Sequence, residues 1–225
     1  MKATVIVSDL QAPYCDRKAV DAVSEFIEDY KPDSVACVGD EADLPQLSRW
    51  TRGTGGEFTG DIAKHRDATV EVLGQLKVQH LSRSNHGDRL WNSISTRLPG
   101  LMGLPELDYS TFFRHQELGI TFHREPYLLA KGTYLMHGDE GSMSKNAGMT
   151  AAGLSTRIGA GVVCGHSHRM GLVPVTEMVG AKINRIRWGF EVGHLIDIKT
   201  SGMAYMKGMA NWQMGFGILI EDGNS

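Results

Sequence analysis

Alternating apolar and polar stretches predict a parallel α/β core in the first part of the chain. Residues 3–8 form a short run rich in Val, Ile and Thr, and residues 34–38 form a second apolar run; both are typical of buried strands. Between them, apolar side chains recur at three- and four-residue steps over residues 20–30, which predicts a helix that Lys31-Pro32 ends. This order of strand, helix and strand is typical of a parallel sheet.

The later part of the chain continues this scheme and then changes its pattern. A second helix is predicted over residues 62–76, and a glycine-containing loop beside the functional site over residues 44–60. Three more strands are predicted, over residues 78–84, 133–136 and 161–164. Alternation of apolar and polar positions between glycines predicts antiparallel strands over residues 172–179, 183–200 and 209–221.

Composition and charge are those of an ordinary globular protein. The chain has 225 residues, of which 41% are hydrophobic and 22% charged, and we expect residues 1–225 to form a single domain. The formal net charge of −3 argues against a protein that coats nucleic acid through a bulk excess of positive charge.

Cysteine spacing and the lengths of the apolar runs set expectations for location. Cys15, Cys37 and Cys164 show no CxxC spacing, so neither a disulfide framework nor a thiolate zinc site is expected. Residues 1–9 have too short an apolar run for a signal peptide, and no stretch approaches the ~18 apolar residues of a membrane span. We therefore expect a cytoplasmic protein with no membrane partner.

Residues able to bind a divalent metal follow one predicted strand after another. They are Asp9 and Gln11, Asp40, Asn85 with His86, His137, and the pair His166 and His168. Because the carboxyl ends of parallel strands open into one crevice, we expect these side chains to converge. Hard and borderline cations accept this mixture of carboxylate, amide and imidazole ligands. A carboxylate such as Asp40 can bridge two cations ~3.5–4 Å apart, a separation that suits phosphoryl transfer.

The ordered motifs resemble those of the calcineurin-like metallophosphoesterase superfamily. That pattern is DxH, GDxxD, GNH followed by an acid, a lone His, and GHxH, and the match runs from Asp9 to His168. The resemblance implies an α/β fold, a four-layer α/β/β/α sandwich with two central mixed sheets, the second completed by the strand-rich tail. Residues 211–217 also look similar to small phage and bacterial members, which implies a phage-encoded protein acting in the bacterial host cytoplasm.

The same resemblance implies two divalent metal ions and their ligands. One metal would be held by Asp9, Gln11, Asp40 and His168, and the other by Asp40, Asn85, His137 and His166. Mn²⁺ is the expected metal, with Fe, Mg²⁺ and Zn²⁺ as alternatives. Gln11 stands where the common motif has His, and its neutral amide oxygen is a weaker ligand for borderline metals. We expect this substitution to favour Mn²⁺ or Mg²⁺ over Zn²⁺ at the first site.

The resemblance also assigns the proton donor. His86 takes the position that protonates the leaving group, oriented by a nearby carboxylate such as Asp88, which lies one residue further along than in the family pattern. Asp43 and Asp139 are expected to fix loops around the ligands rather than to bind metal. Arg89 and Arg169 directly follow motif residues; each is a candidate for substrate binding or for a structural pair with a neighbouring carboxylate.

The substrate class is narrowed by a missing arginine. Protein phosphatases of the superfamily carry Arg-Gly after GDxxD, whereas Leu44-Pro45 follows here. Without that guanidinium, bidentate capture of a terminal phosphate is disfavoured. We predict a metal-dependent phosphodiesterase that uses in-line attack by hydroxide on a nucleotide-like or nucleic acid diester. The alternatives are a phosphomonoesterase or nucleotidase, a DNA nuclease, and a degenerate metal-binding scaffold; the oligomeric state is not predicted.

Aromatic and imidazole side chains outside the motifs are not assigned to the metal site. Trp50 and Trp91 are candidates for stacking on a nucleobase or for packing. The remaining histidines are expected to be surface or locally hydrogen-bonded residues; they are His65, His80, His115, His123 and His194.

Overall fold

Two five-stranded mixed sheets form the centre of the protein, as seen in a computed structural model that describes residues 1–58, 60–200 and 211–222. The first sheet has, in spatial order, β10 (Gly217–Glu221), β1 (Lys2–Val7), β2 (Ser34–Cys37), β3 (His80–Ser82) and β4 (Thr121–His123). Strands β1 to β4 run parallel, and β10 pairs antiparallel with β1.

The second sheet is built from the later part of the chain. Its spatial order is β5 (Tyr127–Ala130), β6 (Thr133–Leu135), β7 (Gly161–Cys164), β9 (Lys182–Val192) and β8 (Met170–Val179). The central strands β6, β7 and β9 are parallel, and the two edge strands pair antiparallel with their neighbours. Both sheets therefore present the carboxyl ends of parallel strands.

Helices connect and cover the strands. They are α1 (Arg17–Tyr30), α2 (Ile62–Gln75), α3 (Asp88–Arg97), α4 (Tyr109–Phe112), α5 (His115–Leu118) and α6 (Met149–Ile158). The Asp16 side chain accepts hydrogen bonds from the backbone N–H groups of Lys18 and Ala19 and so begins α1. That helix ends where Lys31 adopts a left-handed conformation.

The alternation of side chains along β1 explains the layering. Val5 and Val7 pack in one apolar cluster with Val20 and Ile27 of α1. Ile6, which points to the other face of the strand, belongs to a second cluster between the sheets. Each buried side chain of this size contributes about 1.5–3 kcal/mol when removed from water. A shift of the strand register by one residue would move these side chains to the opposite face, so the register and the order of the layers are set together.

On the outer face of the second sheet, α6 completes the fourth layer. Ala151 and Leu154 of α6 pack against Val162 of β7. The helix also approaches β9 so closely that a Cβ on Gly189 would lie 2.2 Å from the backbone nitrogen of Ala152. The four-layer α/β/β/α arrangement with two mixed central sheets is confirmed.

Several predicted segments are confirmed and three need correction. Strands β1, β2, β6 and β7 and helices α1 and α2 lie where the sequence predicts them. The strand predicted over residues 78–84 is limited to His80–Ser82. The strand predicted over residues 183–200 ends at Val192, because residues 193–200 turn back toward the first sheet and form only isolated bridges.

The last predicted strand is shorter and joins the other sheet. It spans Gly217–Glu221 and pairs with β1, so it forms the edge of the first sheet and not of the second; the part of this prediction at residues 209–210 lies outside the described residues. Within the described part of the chain, no helix combines the length and the apolar character that a membrane crossing requires.

Candidate metal centre

The predicted ligands converge where parallel strands of both sheets end. Asp9 and Asp40 follow β1 and β2, and His137 and His166 follow β6 and β7. Backbone hydrogen bonds join the loops: Asp9 N–H donates to Gly39 O at 3.1 Å, and Gly165 N–H donates to His137 O at 2.9 Å. The crevice therefore lies between the ends of the two sheets, as the strand order predicts.

A glycine allows the two sheets to meet at this point. A Cβ on Gly165 would lie 1.7 Å from Ser8 Oγ and 2.5 Å from Asp9 Oδ2. Only a residue without a side chain fits there, and the His166 backbone N–H can then donate to Asp9 Oδ2 at 2.9 Å. The glycine of the GHxH motif is thus required by close packing between the sheets.

Asp9, Asp40 and His168 form the first group that could hold a metal ion. All three are buried, and their ligand atoms lie within 4.8 Å of one another. His168 Nε2 lies 3.1 Å from Asp9 Oδ1 and 3.3 Å from the amide nitrogen of Gln11. The four residues predicted for the first metal are therefore brought together.

Asp40, His137 and His166 form the second group, within the same 4.8 Å limit. His137 Nδ1 lies 2.9 Å from Val38 O, to which it can donate, so Nε2 faces the centre. There it lies 3.3 Å from Asp40 Oδ1 and 2.8 Å from Asn85 Oδ1. Asp40 belongs to both groups, which is the arrangement that a bridging carboxylate requires.

The backbone at the centre adopts a conformation that residues with side chains rarely take. Five residues at the centre have φ angles between 45° and 64°, in the left-handed region; they are Asp9, Gln11, Asp40, His166 and His168. Non-glycine residues in this region are uncommon and cluster at functional sites, because the surrounding fold must hold them there. Five such residues at one crevice indicate that the loops are shaped around a common function.

Electrostatic interactions among these side chains are strong. Burial alone would raise the pKa of Asp40, but the adjacent imidazoles of His137 and His86 hold that carboxyl pKa well below its usual range. Burial opposes the charged form of His137, yet the Asp40 carboxylate raises the His137 pKa to about 10. Burial and the neighbouring His137 lower the pKa of His166. The buried carboxylates thus require positive charge in the crevice.

Buried oxygens at the centre test whether these residues fit metal ions. Gln11 Oε1 is buried and has no hydrogen-bond partner among the described residues, and the close contact of Asp9 Oδ1 is with His168 Nε2, itself a predicted metal ligand. Buried acceptors without a partner are costly, at about 1–3 kcal/mol each, unless they coordinate a ligand. Carboxylate and amide oxygens with imidazole nitrogens form a donor set suited to borderline divalent cations, so the residues fit the predicted metals.

His86 lies against Asp43 and not against Asp88. His86 Nδ1 is 3.1 Å from Asp43 Oδ1, and its Nε2 is 3.8 Å from Asp40 Oδ2 and so faces the centre. Asp88 instead accepts two hydrogen bonds from Arg83, at 2.5 and 2.8 Å. This corrects the prediction that Asp88 orients His86. Asp88 begins α3, where its carboxylate meets Arg83 and not the imidazole two residues earlier.

The two candidate substrate arginines are placed differently. Arg89 Nη1 donates to the Asp43 side chain at 2.8 Å and to its carbonyl oxygen, while Arg89 Nη2 lies 2.7 Å from His86 Nε2. Arg169 is half-buried, and its Nη1 lies 3.4 Å from Ser167 O. Arg89 therefore borders the catalytic candidate directly. Substrate contact by either arginine stays a prediction.

Asp139 fixes a loop, as the sequence predicts. It accepts two hydrogen bonds from Arg83, at 2.7 and 2.8 Å, and Arg83 also binds Asp88. One guanidinium therefore joins the loop after β3 to the loop after β6. This link holds the Asn85 and His137 segments in a fixed relative position.

Sequence reasoning missed a buried carboxylate that supports the GHxH loop. Glu191, at the end of β9, is fully buried and accepts a hydrogen bond from Ser167 Oγ at 2.5 Å. It also accepts from the backbone N–H groups of Thr150 and Ala151, at 2.7 and 3.3 Å, in the first turn of α6. No motif signals this residue, because it reaches the site from a distant strand.

A second missed carboxylate lies inside the GDxxD motif. Glu41 is fully buried, and neither of its carboxylate oxygens has a hydrogen-bond partner among the described residues. Burial is the main cause that raises its pKa to about 8. The motif itself could have drawn attention to Glu41, since an acid beside Asp40 is unusual in a buried turn.

Three of the histidines that were expected to be surface or locally hydrogen-bonded residues are buried, and His194 fits the second of these alternatives. His115 and His65 lie in the interior, and both ring nitrogens of His115 are without hydrogen-bond partners in the described part of the chain. His194 is buried too, although its Nδ1 accepts a local hydrogen bond from Ile196 N–H at 3.0 Å. His194 and Trp212 pack against His168, with ring centroids 5.8 and 4.1 Å away. These two rings form an aromatic wall beside the first group.

Comparisons with known proteins identify close relatives among bacteriophage proteins. The gene 54 proteins of mycobacteriophages D29 and L5 are each 34% identical to this chain, in alignments 238 and 237 positions long that cover 99% of this chain and 90% of each relative. No protein-family model matches the chain.

Solved structures show weaker similarity. Vps29 of Entamoeba histolytica, crystallised with zinc, is 12% identical with a TM-score of 0.45, covering 99% of this chain and 87% of that protein. YfcE, a phosphoesterase from E. coli, is 19% identical with a TM-score of 0.41, and the alignment covers 98% of this chain and 89% of that protein. Because these identities and TM-scores are low, the description of the fold rests on the sheet topology given above.

Proposed function

The chain belongs to the family of the gene 54 proteins of mycobacteriophages D29 and L5, and we propose that it is a metal-dependent phosphodiesterase. The observation that carries this proposal is the pair of buried ligand groups that share Asp40. The order of the sequence motifs, which resembles that of calcineurin-like metallophosphoesterases, supports the same reaction class.

The roles of the ligands follow from their positions. Asp9, Gln11, Asp40 and His168 would hold one divalent cation, and Asp40, Asn85, His137 and His166 would hold the other. When bound, two such cations activate water and neutralise charge on a phosphoryl group during in-line displacement. Mn²⁺ is the proposed metal, because Gln11 supplies an amide oxygen where an imidazole would favour zinc.

His86 supplies the proton for the leaving oxygen in this proposal. Its Nε2 faces the centre, and the Asp43 carboxylate beside Nδ1 holds the ring in that orientation. A guanidinium can only donate, so the Arg89 contact with Nε2 would have to pass from Nε2 to a phosphate oxygen when Nε2 carries the proton. These three side chains form one unit, since Arg89 also binds Asp43.

Two features of the described residues support the proposed preference for a diester. The position after Asp43 is taken by Leu44, which is buried against Phe113 and Leu90, so no guanidinium projects from it. Arg89 does bring a guanidinium near, but both of its terminal nitrogens already contact Asp43 or His86. A free fork for the terminal oxygens of a monoester is thus missing at this point of the described structure. A phosphomonoesterase remains the second candidate because Arg89 lies so near.

Activity assays with defined metals test the proposal. Chelator-treated protein is supplied with Mn²⁺, Mg²⁺, Fe²⁺ or Zn²⁺ and assayed on bis-p-nitrophenyl phosphate and on p-nitrophenyl phosphate. We expect Mn²⁺-dependent turnover with the diester preferred. Asp40→Ala should lower turnover by at least ~100-fold and reduce bound metal, whereas Asp29→Ala, on the exposed side of α1, is the matched control. Full turnover by Asp40→Ala would refute the two-metal proposal, and preference for the monoester would select the second candidate.

Leaving-group dependence tests the role of His86. His86→Ala should slow diesters with alkoxide leaving groups by about 10²–10⁴-fold. The same change should slow release of p-nitrophenolate much less, because that leaving group needs no acid. Equal losses on both kinds of substrate would remove His86 from the role of proton donor.

A further inference from the structure

An open groove leads away from the candidate metal centre along one face of α3. It has a volume of about 540 Å³, and Asn85 and Arg89 line its inner end. Ser93, Thr96 and Arg97 line it further along the helix; with Arg89 they recur at three- and four-residue steps and so share one helix face. The opposite wall is the loop of residues 47–52. A ligand that reaches the predicted metal ligand Asn85 can therefore extend into this groove.

Positive charge is concentrated in the groove although the chain as a whole is acidic. Five arginines line it, together with a single carboxylate, Asp88, whereas the formal net charge of the protein is −3. Arg97 is held by Glu57 at 2.8 Å, a contact that joins α3 to the segment that follows the loop wall. Among the described residues, Arg49 and Arg52 form no salt bridge and both are exposed, although Arg52 lies near enough to Glu57 to interact with its charge. Both guanidinium groups can therefore bind an anionic ligand.

An aromatic ring stands beside these guanidinium groups. Trp50 is 77% exposed, and the guanidinium of Arg49 lies over its ring, 4.6 Å from the ring centroid. One face of the indole is therefore covered by a cation. A flat aromatic surface next to backbone-binding arginines is the combination by which proteins bind single-stranded nucleic acid, since the ring stacks on a base and the cations bind phosphates.

We propose that this groove binds a single strand of nucleic acid, with Trp50 stacking on one base and Arg49 and Arg52 binding the flanking phosphates. The proposal rests on the phosphodiesterase function, because the strand would run from the groove to the metal centre and present a diester there. A single strand is favoured over a duplex because bases in a duplex are stacked on each other and do not offer a free face to Trp50. DNA and RNA strands share the chemistry that the groove recognises.

Binding without catalysis tests the proposal directly. Fluorescence anisotropy is measured with fluorescein-labelled dT12 and U12 in the presence of chelator, over a series of salt concentrations. Trp50→Ala should weaken binding on the order of 10-fold. Arg49→Ala/Arg52→Ala should also weaken it and should lower the slope of log affinity against log salt by about 1.4, at ~0.7 for each phosphate contact on a single strand.

Matched controls separate the groove from general effects on the surface. Trp91 is 53% exposed and lines a different cavity with Tyr109, so Trp91→Ala should change the affinity less than twofold. Lys131→Ala/Lys182→Ala removes the same charge from exposed positions elsewhere and should leave the salt slope unchanged. Circular dichroism of each variant verifies that it is folded.

The possible results are distinct. Binding by Trp50→Ala and by Arg49→Ala/Arg52→Ala within twofold of the unmodified protein would overturn the proposal. So would equal affinity for a blunt 12-base-pair duplex, or for a fluorescein-labelled mononucleotide. Hydrolysis of bis-p-nitrophenyl phosphate, assayed with Mn²⁺ on the same preparations, reports on the phosphodiesterase function separately. Turnover without groove-dependent binding refutes only the strand site, and groove-dependent binding without turnover refutes only the enzyme.

Discussion

Replacing Glu191 by Ala should destabilise the protein strongly, because this one carboxylate joins three segments. It accepts hydrogen bonds from two backbone N–H groups in the first turn of α6 and from Ser167 Oγ. The N-cap residue of α6, Gly148, has no side chain to satisfy those N–H groups. Glu191 therefore caps the helix from a neighbouring strand and also fixes the residue between His166 and His168.

The magnitude follows from the number of donors that would lose their acceptor. Thr150 N–H, Ala151 N–H and the Ser167 hydroxyl each lose a partner, at about 1–2 kcal/mol for a buried donor. A lost helix cap falls in the same range. Together these losses predict that Glu191→Ala lowers the free energy of unfolding by about 3–6 kcal/mol, a large part of the ~5–15 kcal/mol typical of a domain. Glu191→Gln keeps an acceptor for α6 and should cost about 1 kcal/mol.

Urea denaturation of chelator-treated protein, followed by circular dichroism, measures these differences. Ser167→Ala provides the matched comparison, because it removes one hydrogen bond and leaves the cap of α6 in place. We expect it to cost about 1–2 kcal/mol and to weaken Mn²⁺ binding, measured by calorimetry, by about 10–100-fold, since the loop that carries His166 and His168 loses its support.

Two results would refute this reasoning. Glu191→Ala with an unfolding free energy within about 1 kcal/mol of the unmodified protein would mean that water or a shifted α6 replaces the lost acceptor. Unchanged Mn²⁺ affinity in Ser167→Ala would show that the GHxH loop does not depend on this contact.

Three further predictions concern the centre itself. Asp43→Asn should lower turnover of diesters with poor leaving groups by about 10–100-fold without changing the amount of bound metal. Asp88→Asn should leave the dependence of turnover on the leaving group unchanged. If steady-state assays instead showed the loss for Asp88→Asn and not for Asp43→Asn, Asp88 would be the partner of His86. Gln11→His should raise Zn²⁺ affinity by about 10-fold or more, measured by competition with a zinc indicator, and no gain would contradict the role assigned to the amide. Glu41, whose pKa is raised from 4.5 to about 8, keeps a proton in the folded state that the unfolded chain releases, so its own contribution to the stability of metal-free protein falls as pH rises through this window, by at most about 1.4 kcal/mol per unit. Urea titrations at several pH values should therefore show Glu41→Gln gaining stability relative to the unmodified protein as pH rises through the window, and a difference that does not change with pH would count against the buried carboxyl.

The sequence by itself determined the strands that carry the site and the side chains that follow them. Strands β1, β2, β6 and β7 are short apolar runs, and their polar successors are read directly from the chain. Because β1 is parallel to β2 and β6 is parallel to β7, Asp9 had to lie beside Asp40 and His137 beside His166. Local patterning was sufficient here, since the distance from a strand end to its first polar residue is fixed by a few backbone angles.

Only the tertiary structure decided which groups pair across the crevice. Asp43 lies beside His86 although Asp88 is nearer in sequence, and Glu191 reaches α6 and Ser167 from β9. β10 joined the first sheet although its alternation fitted either sheet equally well. Such contacts depend on how layers pack against one another, and burial of apolar surface, which drives that packing, is not directional. A sequence pattern therefore fixes what each segment offers, while the assembled fold fixes which partner it meets.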